Sequence, residues 1–543
     1  MRQPEQEANT SLNLSDPITG NSNWTAGFTF DVLCNVLTAT DAKGTVITNT
    51  YDRANRVKTR TYTNEPAGIS TPAVSFFYDG KGLAQLQAPN YAKGKLTKVT
   101  SSVSETQYSL FDNFGRLTES KQITDGQTYT SGYQYNLSGA LVQETYPSGR
   151  VVKNEFEPDG DLMRIFGKAT PSAPERSYAN SFSYTPDGRI ERLKLGNGLW
   201  ERAAFNSRMQ VTELNLGWGL NGDLWKLGYQ YGEIDGNGNL DTTRNTGNVA
   251  RQTLSFNGLT HPFVQSYKYD SLYRITEAKE TANGQQTWIQ NWGYDRYGNR
   301  TAFSQNIGGQ QMAVNNLTFP TIDPASNRFQ TNPDQGYDYD ENGNLTEDPT
   351  NAGRTFVFNG DNKQTEVRDA TGVPIGQYFY DGEGRRVKKV TAAETTVFVY
   401  SNGKLIAEYS TATPPPQPTT NWTVTDQLGS PRVLVNSMGD VVSRRDFMPF
   451  GEELYADTQN RTVARKYSLT GQDSVRKRFT GYEKDAETGL DFAEARYYNN
   501  QHARFTAVDP LLASGKSADP QTFNRYVYVL NNPLLLTDPT GLQ

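Results

Sequence analysis

Through most of the chain, polar residues alternate with Tyr, Val, Leu and Ile, and the alternation stops at short intervals on Asp, Asn and Gly. A period of two puts one set of side chains on each face of a strand, so the pattern predicts short β-strands joined by tight turns. One unit recurs. An aromatic residue, usually Tyr, is followed by Asp, two or three residues, Gly or Asn, a charged residue and a new alternating run. Copies are Tyr51-Asp52 with Asn55-Arg56-Val57, Tyr78-Asp79, Phe111-Asp112 with Gly115-Arg116-Leu117-Thr118, and Tyr269-Asp270 with Arg274-Ile275-Thr276. Others are Tyr294-Asp295 with Gly298-Asn299-Arg300, Tyr339-Asp340 with Gly343-Asn344-Leu345, and Tyr380-Asp381 with Gly384-Arg385-Arg386-Val387. Weaker copies at Tyr135, Tyr184 and Phe358 replace the Asp that follows the aromatic.

The Asp accepts hydrogen bonds from turn backbone, and Gly or Asn supplies the positive φ that a hairpin turn requires. Each unit is therefore a hairpin, and repetition predicts a long antiparallel sheet of the all-β class. Aromatic and aliphatic residues fall on one face and charge on the other. Cross-strand aromatic pairing accounts for the tyrosines without a ligand. Carbohydrate held by exposed Tyr and Asp is a minor alternative.

Composition supports strands over helices: 12% of the 543 residues are aromatic, with 31 Tyr and 25 Phe against 48 Gly, while hydrophobic residues reach 35%. A mean hydropathy of −0.71 would suggest disorder if the polar residues were clustered, but they are interspersed, which implies a folded sheet wet on both faces. The net charge is −6 with Lys and Arg scattered among acids, so no basic stripe offers a nucleic-acid surface. Cys34 is the single cysteine, which excludes an intrachain disulfide and a thiolate zinc site; no metal or cofactor is expected. His261 and His502 are the only histidines and neither lies in a nucleophile motif, so histidine-triad chemistry is nearly excluded. The opening MRQPEQEANTSLNLSDP has no apolar stretch readable as an export signal, and no segment approaches the roughly 18 apolar residues of a membrane span. The first Met need not be a native start, and secretion stays open.

The repeated units resemble the YD repeats of Rhs proteins, of insecticidal Tc-toxin C subunits and of the teneurin extracellular region, over most of residues 30–460. In that family the sheet spirals into a hollow shell, so the resemblance implies a β-cocoon closed by a C-terminal Rhs core. The expected divisions are a lead-in over 1–29 that starts short of a native N-terminus or at it, a YD-repeat shell over 30–410, a proline-rich loop over 411–420 (TATPPPQPTT) with a polyproline II bias, end-sealing repeats over 421–477 and the core over 478–543. Within 421–477, Asp426-Gln-Leu-Gly429-Ser-Pro431-Arg432 and Phe447-Met-Pro449-Phe450-Gly451-Glu452 are similar to the Rhs form TDHLGSPR...YDPFGE, with Phe447-Met448 standing where Tyr-Asp is usual.

Residues 478–543 carry the densest resemblance: Phe479-Thr-Gly481-Tyr482-Glu483, Asp485-Ala-Glu487-Thr-Gly489-Leu490, Ala495-Arg496-Tyr497-Tyr498, Arg504-Phe505, Asp509, Asn524-Arg525-Tyr526, Asn531-Asn532-Pro533 and Asp538-Pro539-Thr-Gly541-Leu542. They are similar to the Rhs-associated core, which acts as an aspartyl autoprotease. The resemblance implies that Asp509 and Asp538 are catalytic and that the cut falls between Leu542 and Gln543, freeing a toxic C-terminal region that stays enclosed. Hydrolysis without metal, Cys or His needs two close carboxylates sharing a proton, one to activate water and one to polarise the carbonyl. Arg504 supports the fold first and a developing charge second. Asp509-Pro510-Leu511-Leu512 lacks the family's Gly, and the inserted Asp519-Pro520 makes Asp519 a rival to Asp509.

The expected partners are a C-terminal toxin cargo in cis and a delivery apparatus or an N-terminal plug or propeller, in a secreted, surface or effector-delivered protein of bacterial competition. The alternative reading is a non-catalytic adhesive repeat protein that binds glycans or partner cells.

Overall fold

The computed structural model of the protein describes residues 3–12, 24–83, 91–308, 310–312, 319–330, 336–412, 419–471, 475–510, 514–516 and 519–542. Gln543 and most of the proline-rich loop, 413–418, lie outside the described residues. The described chain is nearly all strand and turn, and its helical pieces are single 3-10 turns.

Most copies of the Tyr-Asp unit fold alike, whereas at Tyr78-Asp79 the Asp itself takes the left-handed conformation at φ +61° and accepts the Gly94 N–H. Asp52 Oδ1 accepts hydrogen bonds from the N–H groups of Ala54 (2.8 Å) and Arg56 (3.1 Å), and Oδ2 accepts one from Arg56 Nε (2.7 Å). Asn55 takes the left-handed conformation at φ +59°, where a β-branched residue would be strained. Thr50 faces Thr59 while Tyr51 faces Val57, so one residue is bulged out beside the turn, adding local twist. Asp112 and Asp270 repeat the scheme with Arg116 and Arg274, and Asp295 and Asp340 repeat it with Asn299 and Asn344 in the arginine's place.

The tyrosine joins each unit to the one before. Tyr51 donates its hydroxyl to the Val36 carbonyl (2.8 Å), Tyr78 to Val57 (3.0 Å), Tyr269 to Val249 (2.8 Å) and Tyr294 to Ile275 (2.7 Å). The arginine joins it to the one after: Arg56 lies 4.3 Å over the Tyr78 ring, Arg116 4.9 Å over Tyr135 and Arg274 4.9 Å over Tyr294. The sequence suggests ring-on-ring pairing for these tyrosines. Their partners here are a carbonyl and a guanidinium, because the bulge turns each phenol along the sheet toward its neighbouring turn.

The chain forms two compact units. One comprises Met1–Asn154, Gly167–Glu175 and Thr331–Pro414, the other Glu155–Phe166, Arg176–Gln330 and Pro415–Gln543. In the first, strands from Gly27–Phe30 to Leu141–Thr145 pair antiparallel, each with its successor in sequence. A second antiparallel sheet runs from Asp338–Tyr339 to Lys404–Ser410. Polar contacts tie the two sheets together, among them Gln122 Nε2 donating to the Phe398 carbonyl (2.8 Å) and Asn342 Nδ2 to Asp41 Oδ2 (2.6 Å).

In the second unit, strands from Arg176–Tyr184 to Arg300–Ile307 form an antiparallel meander. One face is buried at every second position: Trp225, Leu227 and Tyr229; Phe263, Gln265 and Tyr267; Trp288, Gln290 and Trp292. The C-terminal segment packs on that face with Val433, Phe447, Phe450, Tyr467, Phe479, Tyr498 and Phe505. A buried ionic cluster fixes the register. Arg461 donates to Glu280 through Nη1 (2.8 Å) and Nη2 (2.7 Å) and to Asp446 through Nε (2.7 Å); Arg432 Nη2 (2.7 Å) and the Tyr467 hydroxyl (2.9 Å) also donate to Asp446.

Candidate functional site

The site grows from the same turn chemistry as the repeats. Asp538-Pro-Thr-Gly541-Leu542 is a turn in which Asp538 Oδ1 accepts the N–H of Leu542, four residues on, at 2.9 Å, as Asp52 does for Arg56. Gly541 sits at the left-handed position, φ +69°, and a Cβ there would lie 2.4 Å from the Ala493 carbonyl oxygen. No other residue fits so close a backbone approach. In the repeats at Asp52, Asp112, Asp270, Asp295 and Asp340 the second carboxylate oxygen is taken by an Arg or Asn at the fourth position. The Leu542 side chain has no donor to offer, so Asp538 Oδ2 is left to another residue.

That residue is Arg496. Its strand, Arg496–Asn499, pairs with Asp491–Ala493 on one side and Arg504–Phe505 on the other, and the Ala495 N–H donates to the Thr540 carbonyl (3.0 Å), which brings the terminal turn alongside. Arg496 Nη2 lies 3.2 Å from Asp538 Oδ2 and 3.7 Å from Asp509 Oδ2. Nε donates to the Gly541 carbonyl (2.5 Å) and Nη1 to the Arg525 carbonyl (2.8 Å), while the guanidinium rests 3.6 Å from the centre of the Phe505 ring. Burial pulls the Arg496 pKa below its ordinary value, and the Asp509 and Asp538 carboxylates oppose that pull. Asp538 is 0% exposed and Asp509 3%. Tyr482 donates its hydroxyl to the Asp538 main-chain carbonyl, and Arg525 donates to that of Asp509.

The structure thus brings together Asp509, Asp538 and Leu542 of the sequence-expected site. Asp519 is placed otherwise: it is half-buried and caps the 3-10 turn Pro520–Phe523, accepting the Gln521 N–H at 3.3 Å. Arg504 also points away, donating to the Asn327 carbonyl (2.5 Å) and stacking over Phe329 (4.7 Å) and Tyr526 (4.5 Å). Sequence reasoning assigned no role to Arg496, Tyr482 or Gly541, although all three fall inside quoted motifs. A buried cation touching two carboxylates and the backbone of the terminal turn holds that turn in one place and neutralises one of the two negative charges. Among the described residues no group of three or more His, Cys, Asp or Glu is placed to hold a metal ion.

No protein-family model matches the chain. It is 26% identical over 383 residues to the tRNA nuclease WapA of Bacillus subtilis, covering 66% of this chain and 14% of WapA. It is 23% identical to the double-stranded DNA deaminase toxin A of Burkholderia cenocepacia, over 93% of this chain and 45% of that protein. The solved TcdB2-TccC3 structure superimposes with a TM-score of 0.75 at 18% identity, over 95% of this chain and 28% of that one. The chain therefore spans less than half the length of each. The Tyr-Asp turn array, its terminal Asp-Pro-Thr-Gly-Leu turn, the antiparallel fold shared with TcdB2-TccC3 and the similarity to these toxins are consistent with an Rhs/YD-repeat protein.

Proposed function

We propose that this chain is the encapsulating part of a toxin-type Rhs protein and that it cuts itself between Leu542 and Gln543, leaving a C-terminal toxic segment inside the enclosure. The observation that carries the reading is the convergence of Asp509 and Asp538 on one buried guanidinium, with the Leu542 N–H held by Asp538 and the Gly541 carbonyl held by Arg496. Two pins on the consecutive residues Gly541 and Leu542 fix the last peptide plane before the bond, a positional requirement for hydrolysis.

In this reading Asp538 and Arg496 hold the chain and Asp509 handles the proton. Asp509 borders a cavity that admits water, so its carboxylate takes a proton from a water whose oxygen bonds to the Leu542 carbonyl carbon. As the bond between Leu542 and Gln543 breaks, the proton passes to the departing nitrogen. A new carboxyl group is left on Leu542 and a new amine on Gln543. The relatives named as nucleases or deaminase toxins support a polypeptide cargo, and delivery by a partner apparatus from the producing cell belongs to the same proposal.

The test is a chain extended past Gln543 by a tag of known mass. On a denaturing gel the parent runs as two bands, and Asp538→Asn and Asp509→Asn run as one. Asp519→Asn still runs as two. A parent that stays whole, or an Asp538→Asn chain cut as fast as the parent, overturns the proposal; the former is also what a purely adhesive repeat protein would give.

A further inference from the structure

Beside Leu542 lies a cavity of about 530 Å³ with one aliphatic wall, made by Val527, Val529, Leu530 and Leu536, and a polar border that includes Asp509, Arg525 and Lys516. It is a pocket of ligand-binding size rather than a packing defect. Its wall is built at a cost in backbone strain. Val529, Leu530 and Asn531 stand at φ +41°, +55° and +60°, three successive non-glycine residues in the left-handed region, the first of them β-branched. The arrangement is fixed from outside: Asn531 donates its side-chain amide to the Gly298 carbonyl (2.8 Å), its N–H bonds to the Tyr528 carbonyl (2.9 Å), and the Asn532 N–H bonds to the Val529 carbonyl (3.0 Å). This strained turn makes Val529 and Leu530 line the cavity, at whose edge Leu536 remains 41% exposed.

The chain direction points the same way. Residues up to Gly541 are pinned on the Arg496 side, and the next residue, Leu542, borders the cavity. We propose that the cavity seats the segment on the far side of the Leu542-Gln543 bond and that it favours bulky apolar side chains in the first few residues after Gln543. The inference rests on the self-cleavage reading and names the class of segment that the site cuts from. The aliphatic wall gains by covering apolar groups and gains nothing from small polar ones. Seating the departing segment also keeps the bond over Asp509 while water attacks.

Two extended chains test it, one with Leu-Phe-Leu after Gln543 and one with Ser-Gly-Ser, which adds no charge beside Lys516 and Arg525. The apolar chain is expected to be cut at least about tenfold faster, the scale of discrimination that one or two buried apolar groups confer. Leu530→Trp, which fills the cavity, should bring the apolar chain down toward the polar one. Equal rates overturn the seat while leaving self-cleavage standing. If neither chain is cut, self-cleavage fails, and a solved structure of the uncut Asp538→Asn chain carrying Leu-Phe-Leu still decides the seat. The three residues packed between Leu530 and Leu536 support it; a path elsewhere rules it out.

Discussion

Replacing Arg461 by Met removes the cation at the centre of the buried cluster while keeping most of its volume. Arg461 and Glu280 have side chains 3% and 0% exposed, and Arg461 also serves Asp446, whose side chain is 2% exposed. Removing one partner of such a pair leaves the other buried and uncompensated, which costs about 3–5 kcal/mol. That corresponds to an increase of roughly two to three and a half powers of ten in the opening of the packed segment. Burial alone would push the Asp446 carboxyl up, but Arg461 and Arg432 outweigh it and hold it below its ordinary value. Its folded pKa is therefore depressed, so its stabilisation is present above the ordinary carboxylate pKa and is lost as pH falls. In the variant this acid sensitivity is reduced. Amide hydrogen exchange suits a chain of two units better than a global melt, because a single unfolding free energy is not defined for it. Exchange of the strand Ile275–Ala282 and of the segment 446–467 should accelerate together. Adding Glu280→Gln to the Arg461→Met chain should restore part of the protection. A change below about 1 kcal/mol, or a double variant that is simply additive, would rule out a coupled buried cluster, since residues in direct contact are expected to couple.

Three further outcomes follow from single residues. Asp491 is buried and its carboxyl is pushed up to about 6, first by burial, with Lys484 pulling down and Glu453 pushing up. Its folded pKa lies above the unfolded value, so its contribution is fully present below about pH 4 and drains away through about pH 6. Asp491→Asn should slow local exchange of Asp491–Ala493 at pH 8 by about 1–2 kcal/mol and show little difference at pH 4; the same gain at both values would contradict the assignment. Gly541→Ala drives a methyl into the Ala493 carbonyl and should slow cleavage about a hundredfold or more, as measured by band intensities over time. Tyr269→Phe removes the hydroxyl bond to Val249 and should cost about 1 kcal/mol, read as faster exchange of Val249–Ser255 with no effect on strands several repeats away.

The turns were legible in the sequence because their chemistry is local: Asp, the left-handed Asn or Gly and the fourth-position Arg all lie within five residues. Asp538 and Leu542 were expected from the resemblance to the Rhs-associated core, and the terminal turn that holds them uses the same local chemistry. What joins distant segments was not. Arg496 sits in a run that reads as ordinary strand alternation, and its role depends on the pairing that lays Ala495 beside Thr540. Arg461 and Glu280 are 181 residues apart and each alone reads as a solvated charge, as most such residues are. The choice between Asp509 and Asp519 was open in sequence because both precede proline. The fold separates them: Asp509 is drawn under Arg496 by backbone bonding to Arg525, while Asp519 spends its carboxylate on a neighbouring turn. The tyrosines were expected as ring pairs, and the bulge that redirects them toward carbonyls is a register effect that a linear pattern does not carry.

Everything proposed for the C-terminal turn depends on the bond after Leu542 being cut by the chain itself. Intact-mass spectrometry decides this on an extended chain, either held under denaturant from the moment of lysis or allowed to fold first. The folded sample should yield a fragment ending at Leu542 and a second beginning at Gln543, the sample kept in denaturant should stay whole, and Asp509→Asn and Asp538→Asn should stay whole in both. A folded parent of undiminished mass, or a fragment ending at any other residue, would show that the chain does not cut itself there.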